Sequence, residues 1–206
     1  MKIRIENLSK RFNYEWIFKN VNIEFSADNI YAITGANGSG KSTLLSVISG
    51  QVPPTSGSII YEKGDVCIAG EDVFRHLTIA APYMDLMEEL TLEEHLAFHA
   101  RLKPLRNNFS VQDLIETMYL QSARQKQIGN FSSGMKQRVK LGLAFFTRAD
   151  IVILDEPLSN LDQEASIWYH RQLAALPKDV LLIIASNNPD EYPQNAVSLN
   201  LADFKK

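Results

Sequence analysis

Three runs of consecutive apolar residues stand out along the chain, at 30–34, 151–154 and 180–185. They are rich in Val, Ile and Leu and show no polar alternation, which is typical of parallel strands covered on both faces. A helical pattern follows each of the first two runs, so the chain contains βα units. The pattern predicts an α/β fold with a mostly parallel central sheet.

The N-terminal part of the chain has a different pattern, because apolar and polar residues alternate at 2–7 and 21–25. A turn-rich triplet at 56–58 precedes another apolar run, and together these segments predict an antiparallel β layer beside the sheet. Helical spacing dominates roughly 84–147, with helices expected at 92–103, 111–120 and 134–149. We expect a helical lobe inserted into the α/β core.

Composition narrows the function classes without selecting one. The chain has 206 residues, 45% of them hydrophobic, and a formal net charge of -3, so nothing in its bulk charge favours nucleic acid as a partner. Its apolar runs are much shorter than the ~20 residues of a membrane helix. The single cysteine, Cys67, excludes an internal disulfide and is expected to be a small buried hydrophobic residue.

A glycine-rich loop follows the first apolar run and matches the pattern G-x-x-x-x-G-K-[ST]. Its glycines let backbone N–H groups converge on phosphate oxygens, and the following helix adds a partial positive charge. Lys41 is expected to reach the β- and γ-phosphates, and the Ser42 hydroxyl to ligate Mg²⁺. The expected phosphate-binding residues are Gly35, Asn37, Gly38, Ser39, Gly40, Lys41, Ser42 and Thr43.

Two acidic residues end the second apolar run. Asp155 is placed to hold Mg²⁺, directly or through water, and Glu156 to act as a general base or to orient the attacking water. Acidic turns after strands are common in α/β proteins. Beside a phosphate loop, however, the pair indicates a P-loop NTPase.

Further motifs resemble those of the ATP-binding cassette (ABC) ATPases. The segment 131–135, followed by Lys136-Gln137-Arg138, resembles the LSGGQ signature. Ser132 or Ser133 is also a candidate N-cap of an ordinary helix, and a cap is compatible with the signature function. The segment 159–162 resembles the D-loop. Phe12 stands where the family places an aromatic residue on adenine, with Tyr14 and Trp16 as alternatives.

This resemblance covers the whole chain, so 1–206 is identified as one ABC-type nucleotide-binding domain. It implies binding and hydrolysis of ATP with Mg²⁺, and a head-to-tail pairing with a second nucleotide-binding domain as a homo- or heterodimer. Ser132, Ser133 and Gly134 would contact the γ-phosphate bound to the partner domain, and Asp162 would lie at the same interface. It also implies an integral membrane permease as partner, and a cytoplasmic, peripheral location on the inner face of the cell membrane. The helical pattern at 90–102 is weakly similar to haem-exporter-type subunits.

Three positions depart from the family pattern. Ser133 and Met135 replace the usual Gly and Gln of the signature, and Tyr83-Met84-Asp85 stands where the Q-loop glutamine is expected. Asn187 occupies the place of the switch histidine. It is expected to contact the γ-phosphate but cannot carry a proton.

Two alternatives therefore remain open. One is a nucleotide-gated regulatory subunit that hydrolyses ATP weakly. The other is a soluble, non-transport ABC ATPase, such as a translation factor or a DNA-repair clamp, which fits poorly because only 91 residues separate Lys41 from Ser132 and they contain no heptad run. Separately, His95 and His99 have the i, i+4 spacing of a two-histidine metal site, although a surface or partly buried pair without metal is favoured because no third ligand is evident.

Overall fold

The computed structural model describes residues 1–204, in which nine strands and five α-helices occur. The strands are β1 (Lys2–Phe12), β2 (Glu15–Ser26), β3 (Ile30–Thr34), β4 (Ser56–Lys63), β5 (Val66–Ile68), β6 (Leu77–Ala80), β7 (Ile151–Asp155), β8 (Leu181–Ala185) and β9 (Val197–Asn200). The helices are α1 (Lys41–Ile48), α2 (Leu92–Leu102), α3 (Val111–Thr117), α4 (Ser133–Phe146) and α5 (Gln163–Ala174). Short 3₁₀ turns join several of these elements.

The chain divides into two compact units. The first comprises 1–77, 149–156 and the chain from 177 onward, and the second comprises 78–148 and 157–176. The expected helical lobe, roughly 84–147, falls within the second unit. That unit also contains α5, which the sequence pattern had not assigned to the lobe.

The first unit contains two sheets. One is antiparallel, with the strand order β2-β1-β4-β5, and in the other β7, β8, β3 and β9 lie side by side in that order as parallel neighbours. Every residue of β7 and β8 is buried, as expected of parallel strands covered on both faces. The predicted α/β class, with a mostly parallel sheet and an antiparallel layer, is confirmed.

The parallel register places the carboxyl ends of three strands next to each other. Ile33 of β3 pairs with Ala185 of β8, and Ala185 pairs with Asp155 of β7. The residues that follow these strands therefore emerge at one edge of the sheet, which is where α/β proteins bind ligands.

The second unit is held together by an apolar core between its helices. Leu96, Leu114 and Leu141 are fully buried, and Phe145 packs edge-on against Trp168 at a ring-centroid distance of 6.2 Å. Full side-chain burial of this kind contributes roughly 1.5–3 kcal/mol per residue. The core therefore joins α2, α3, α4 and α5 into one body.

One expectation for an individual side chain was wrong. Cys67 is exposed on β5, because that strand is three residues long and pairs on one side with β4. Trp16, an alternative to Phe12 for the contact with adenine, is 39% exposed on β2, where the cations of Arg11 and Lys19 lie over its ring at 5.5 and 5.2 Å. Across residues 1–204, no helix is both long enough and apolar enough to cross a bilayer.

Candidate nucleotide-binding site

The glycine-rich loop leads from β3 into the N-terminus of α1. Gly40 caps this helix with a φ of 104°, in the left-handed region that favours glycine. A Cβ atom at this position would lie 2.2 Å from a methyl carbon of Ile17 on β2. Glycine is therefore needed at Gly40 both for the backbone turn and for the close packing of the loop against β2.

A cavity of about 220 Å³ opens at this end of the sheet. Most of the predicted phosphate-binding residues line it, together with Glu156 and with Ile17 of β2. The lining residues are Ile17, Asn37, Gly38, Gly40, Lys41, Ser42, Thr43 and Glu156. Because the N-terminus of α1 points its free N–H groups and its partial positive charge into the cavity, the site suits an anion.

The Lys41 side chain is folded back along the loop. Its ammonium donates to the Gly35 carbonyl oxygen at 2.7 Å, and a longer contact of 3.4 Å reaches the Ala36 carbonyl oxygen. Lys41 is buried, so water screens its charge less than it would screen the charge of an exposed lysine. A phosphate in the cavity would therefore meet a positioned, poorly hydrated cation.

The Asp155 carboxylate is buried at the carboxyl end of β7. The residue is 1% exposed, and neither carboxylate oxygen has a hydrogen-bond partner of normal geometry. Burial, reinforced by the negative charge of Glu156, raises its pKa, while the nearby Ser42 hydroxyl and Lys41 ammonium act in the opposite direction. An unpaired buried carboxylate beside a hydroxyl fits a bound divalent cation, because oxygen ligands of these two types are what Mg²⁺ prefers.

Glu156 directly follows β7 in a strained conformation. Its φ is 45°, which is rare for a residue with a side chain, and its N–H donates to the Ala185 carbonyl oxygen at 2.9 Å. The turn directs the chain away from β7 and leaves Glu156 in the cavity lining. Strain of this kind, about 1–3 kcal/mol, persists where the surrounding structure fixes it and is concentrated at functional sites.

Asn187 lies against the phosphate loop. Its Oδ1 atom accepts from the Gly35 N–H at 3.0 Å, and its Nδ2 atom donates to Asn37 Oδ1 at 3.0 Å. Asn188, in contrast, accepts from the Asp190 N–H and caps the following 3₁₀ turn. The structure therefore places Asn187, rather than Asn188, beside the loop, although its catalytic role stays a prediction.

The signature-like segment caps α4 in the second unit. Ser132 is the N-cap, and its hydroxyl oxygen accepts from the Met135 N–H at 3.2 Å, whereas Ser133 is the first residue of the helix. A Cβ at Gly134 would come within 2.8 Å of the Asn160 carbonyl oxygen, so only glycine permits this close approach. The expected contacts of Ser132, Ser133 and Gly134 with a partner's phosphate remain predictions.

The D-loop-like segment is fixed to α4 by two side chains whose role the sequence did not reveal. Gln137 donates to the Pro157 carbonyl oxygen at 2.9 Å, and the Arg138 guanidinium lies 3.6 Å from Asp162 Oδ1. Asp162 itself caps α5 by accepting from the Ala165 N–H at 2.8 Å. Asp162 thus has a clear structural role, and its predicted role at a nucleotide interface is a separate question.

Phe12 is not among the residues that line the cavity. It ends β1, is 48% exposed, and its ring lies 4.8 Å from the Lys10 ammonium. Tyr14, at the tip of the same hairpin, is 97% exposed. Ile17 of β2 does line the cavity, and its place there could not be predicted, because an apolar residue in a strand is ordinarily part of a core.

The pair of histidines on α2 is used in packing. His99 Nε2 lies 2.8 Å from the Thr147 hydroxyl, and His95 is buried. Burial is the main reason that the pKa of each histidine is lowered, to about 4 for His99. Within residues 1–204 there is no group of three His, Cys, Asp or Glu side chains arranged to hold a metal ion.

Comparison with known proteins places this geometry in a family. The ABC transporter family model matches residues 18–159, and the chain belongs to that family. The ATP-binding cassette class inferred from the motifs is thereby confirmed, and with it the capacity to bind ATP.

Individual relatives are similar along most of the chain. An uncharacterized ABC transporter ATP-binding protein of Bacillus subtilis, YcbN, is 28% identical over 97% of this chain and 66% of its own length. The sulfate/thiosulfate import ATP-binding protein CysA of Pseudomonas syringae pv. tomato is 30% identical over 88% of this chain and 58% of its own length. The chain thus spans roughly 60–70% of the length of these two proteins.

Solved structures agree on the fold. A putative ABC transporter ATP-binding protein from Pyrococcus furiosus superposes with a TM-score of 0.81 at 23% identity, and all of both chains is covered. A dimeric bacterial ABC transporter cassette, MJ0796, superposes with a TM-score of 0.79 at 20% identity over 97% of this chain and 94% of the other.

Proposed function

We propose that this chain is the ATP-hydrolysing subunit of an ABC transporter, coupling ATP-driven pairing of two nucleotide-binding domains to transport by a membrane permease. The observation that carries the proposal is the buried Asp155 carboxylate, which has no hydrogen-bond partner of normal geometry and lies beside the hydroxyl of Ser42, a residue that lines the cavity. Burial of an unpaired carboxylate costs folding free energy, and a bound cation would offset that cost.

The phosphate chain of ATP is expected to lie on the N-terminus of α1. Lys41 would turn from the Gly35 carbonyl oxygen to the β- and γ-phosphates, and the loop N–H groups would surround their oxygens. Ser42 and Asp155 would hold Mg²⁺ through oxygen atoms. The ion would neutralise phosphate charge and fix the geometry of the phosphate chain.

Glu156 is assigned the water-orienting role. It lines the same cavity as Lys41 and Ser42, so its carboxylate can accept a proton from a water that approaches the terminal phosphate. The strained backbone at Glu156 fixes the direction of the side chain before the substrate arrives.

A second nucleotide-binding domain completes the proposed site. Ser132, Ser133 and Gly134 of one domain would face the terminal phosphate bound to the other, with Asp162 at the same interface. The match to a dimeric cassette supports this arrangement, as does the exposed start of α4, whose N–H groups can bind an anion. The partner is either an identical chain or a paralogue.

A permease partner and a place at the cytoplasmic face of the membrane are proposed from the family. Tyr83 and Met87, which follow β6, are exposed apolar residues, and their exposure supports contact with a protein partner. Adenine stacking is assigned to Phe12, with Trp16 as the alternative on the facing strand of the same hairpin.

One observation favours a second candidate, a regulatory subunit with weak hydrolysis. Asn187 is a neutral amide at the place of the switch histidine and cannot transfer a proton or carry charge. The steady-state rate of Mg²⁺-dependent ATP hydrolysis by the purified chain, measured per site, separates the two functions.

The test of the proposal uses two variants and the parent protein. Lys41→Ala should remove most ATP affinity, whereas Glu156→Gln should keep ATP binding and accumulate an ATP-bound dimer that size-exclusion chromatography detects. Glu156→Gly is the matched control, because it relieves the positive φ and should raise the free energy of unfolding by about 1 kcal/mol relative to Glu156→Gln while remaining inactive. Hydrolysis by either Glu156 variant at the parent rate would contradict the assignment.

A further inference from the structure

Asn187 makes two hydrogen bonds to the phosphate loop, one through each end of its side-chain amide. Oδ1 accepts from the backbone N–H of Gly35, and Nδ2 donates to the side-chain oxygen of Asn37, both at 3.0 Å. The orientation of the amide follows from chemistry. The Gly35 N–H can only donate, so the atom facing it must be the oxygen, and the nitrogen must then face an acceptor.

The fold brings these residues together from distant parts of the chain. Asn187 stands two residues after β8, and Gly35 directly follows β3, its parallel neighbour in the sheet. The Ser186 N–H donates to the Ile33 carbonyl oxygen at 3.0 Å, so the pairing of the two strands continues to Ser186, the residue before Asn187. Asn187 therefore follows a residue that the sheet holds, and its side chain reaches a loop that contains three glycines.

Gly35 is held on both of its backbone groups. Its N–H is bonded to Asn187 and its carbonyl oxygen to the Lys41 ammonium at 2.7 Å. Lys41 has to leave this carbonyl to reach a phosphate, but Asn187 can keep both of its bonds when a nucleotide is present. The amide therefore acts on the loop conformation itself, which every phosphate-bearing nucleotide requires.

We propose that Asn187 and Asn37 form a clasp that positions the phosphate loop, so that Asn187 supports the binding of ADP and ATP alike rather than sensing the γ-phosphate. This proposal rests on the proposed function, because it concerns the same nucleotide site. Asn187 is thus a positioning residue, which acts through the Gly35 N–H and the Asn37 side chain. Its two bonds keep the loop in its phosphate-binding conformation.

The discriminating measurement compares two ligands. Isothermal titration calorimetry with Mg²⁺-ADP and with a non-hydrolysable Mg²⁺-ATP analogue should show that Asn187→Ala weakens both, each by roughly 3- to 10-fold, the effect of one or two solvent-exposed hydrogen bonds. If the analogue alone loses affinity, Asn187 senses the γ-phosphate and the proposal is overturned. Unchanged affinity for both ligands also overturns it.

A double-mutant cycle tests the contact with Asn37. Asn37→Ala removes one of the two bonds and should cost less than Asn187→Ala, which removes both, and the double variant should be no weaker than Asn187→Ala alone. Independent, multiplicative losses would contradict the pairing. Asn188→Ala is the matched control, since Asn188 bonds to Asp190 outside the loop, and it should leave both affinities unchanged.

Thermal unfolding and a second variant distinguish a misfolded protein from a wrong proposal. Thermal unfolding of each variant shows whether it is folded, and Asn187→Ser supplies a second variant with a shorter polar side chain that cannot span Gly35 and Asn37. If the parent chain binds neither nucleotide, the proposed function fails. If the parent binds and the variants lose only the analogue, the proposed function stands and the clasp alone is wrong.

Discussion

The Lys140 ammonium on α4 donates a hydrogen bond to the Pro82 carbonyl oxygen at 2.8 Å and a second one to the Ala81 carbonyl oxygen at 3.2 Å. One helical turn earlier, Lys136 forms an ion pair with Glu88. The helix that starts with the signature-like residues therefore holds the segment in which the Q-loop glutamine is missing. Asp85 of that segment adds a favourable charge to Lys140.

We expect Lys140→Met to release this segment. Two charge-assisted hydrogen bonds are lost from a half-buried cation, and the amides of 83–90 should exchange with deuterium several-fold faster. If the segment transmits nucleotide binding to the rest of the protein, kcat should fall while KM for ATP changes little. Hydrogen exchange and steady-state kinetics are measured on the same preparation.

Lys136→Met is the matched comparison for this variant. It removes an ion pair whose acidic partner is mostly exposed, and such pairs contribute about 0–1 kcal/mol. Its effects on exchange and on kcat should therefore be smaller than those of Lys140→Met. Equal exchange rates in the parent protein and in Lys140→Met would show that the backbone contacts do not hold the segment.

Replacement of Asp155 should stabilise the protein when no ligand is bound. Burial raises the pKa of Asp155 in the folded state, so the folded chain resists ionisation of this group and loses stability as the pH rises from the unfolded pKa through the folded one. Asp155→Asn removes the buried charge and should raise Tm at pH 7. The gain should disappear at a pH below the ordinary aspartate pKa of about 4.

Two properties of Asp155→Asn can be measured, namely its rise in Tm and its loss of ATP affinity. An unsatisfied buried polar group costs about 1–3 kcal/mol, and each kcal/mol shifts Tm by about 2–4 °C in a chain of this length. The same variant should lose the Mg²⁺-dependent part of its ATP affinity. A Tm equal to that of the parent at pH 7, or an intact Mg²⁺ dependence, would contradict the assignment of Asp155 as the cation ligand.

The sequence was sufficient to predict the parts of the fold that carry strong local signals. The strand Ile30–Thr34 has the predicted bounds, because its β-branched run is followed by a glycine loop that cannot continue a strand. The helix predicted at 111–120 ends earlier, at Thr117, because Tyr119 adopts a φ of 57°. The residues at 118–120 have a composition that suits a helix, but the backbone at Tyr119 is not helical.

Other features could not be predicted because they depend on contacts far apart in sequence. The short strand β9 lies at the edge of the sheet, and nothing in its four residues marks it as a strand until β3 is beside it. Ile17 and the Asn37–Asn187 contact are of the same kind, since 150 residues separate the two asparagines. The motif positions were predictable, whereas the bonds between them were not.

Acidification should weaken the packing around α2. Burial, with the charges of Lys103 and His95, lowers the pKa of His99 to about 4, so His99 is neutral in the folded state near neutral pH. The unfolded chain takes up a proton near pH 6.5 and the folded chain does not. Stability is therefore lost as the pH falls from about 6.5 towards 4, by up to about 3 kcal/mol.

His99→Gln supplies the control, because an uncharged amide can still bond to the Thr147 hydroxyl. Urea unfolding of the parent and of this variant between pH 7.5 and pH 4.5 should show a steeper loss of stability in the parent. His95 contributes in the same direction, since burial also lowers its pKa. Parallel pH dependences in the two proteins would show that His99 is protonated without cost.

The last prediction concerns Asn187→His, for which two physical effects act in opposite directions. The two ring nitrogens of a histidine point in different directions, so one ring cannot accept from the Gly35 N–H and donate to Asn37 at the same time. The clasp therefore opens, and KM for ATP should rise several-fold. A protonated imidazole, however, offers a charge-assisted hydrogen bond to the terminal phosphate, roughly twice as strong as that of a neutral amide. The gain in the transition state of about 1–2 kcal/mol should raise kcat by about 10-fold. The pH profile separates the two effects. The parent kcat should not vary with protonation at position 187, because an amide does not titrate, whereas the gain in Asn187→His should fade as the pH rises above about 6.5. A variant whose kcat and KM both match the parent across this range would show that position 187 neither holds the loop nor contacts the reacting phosphate.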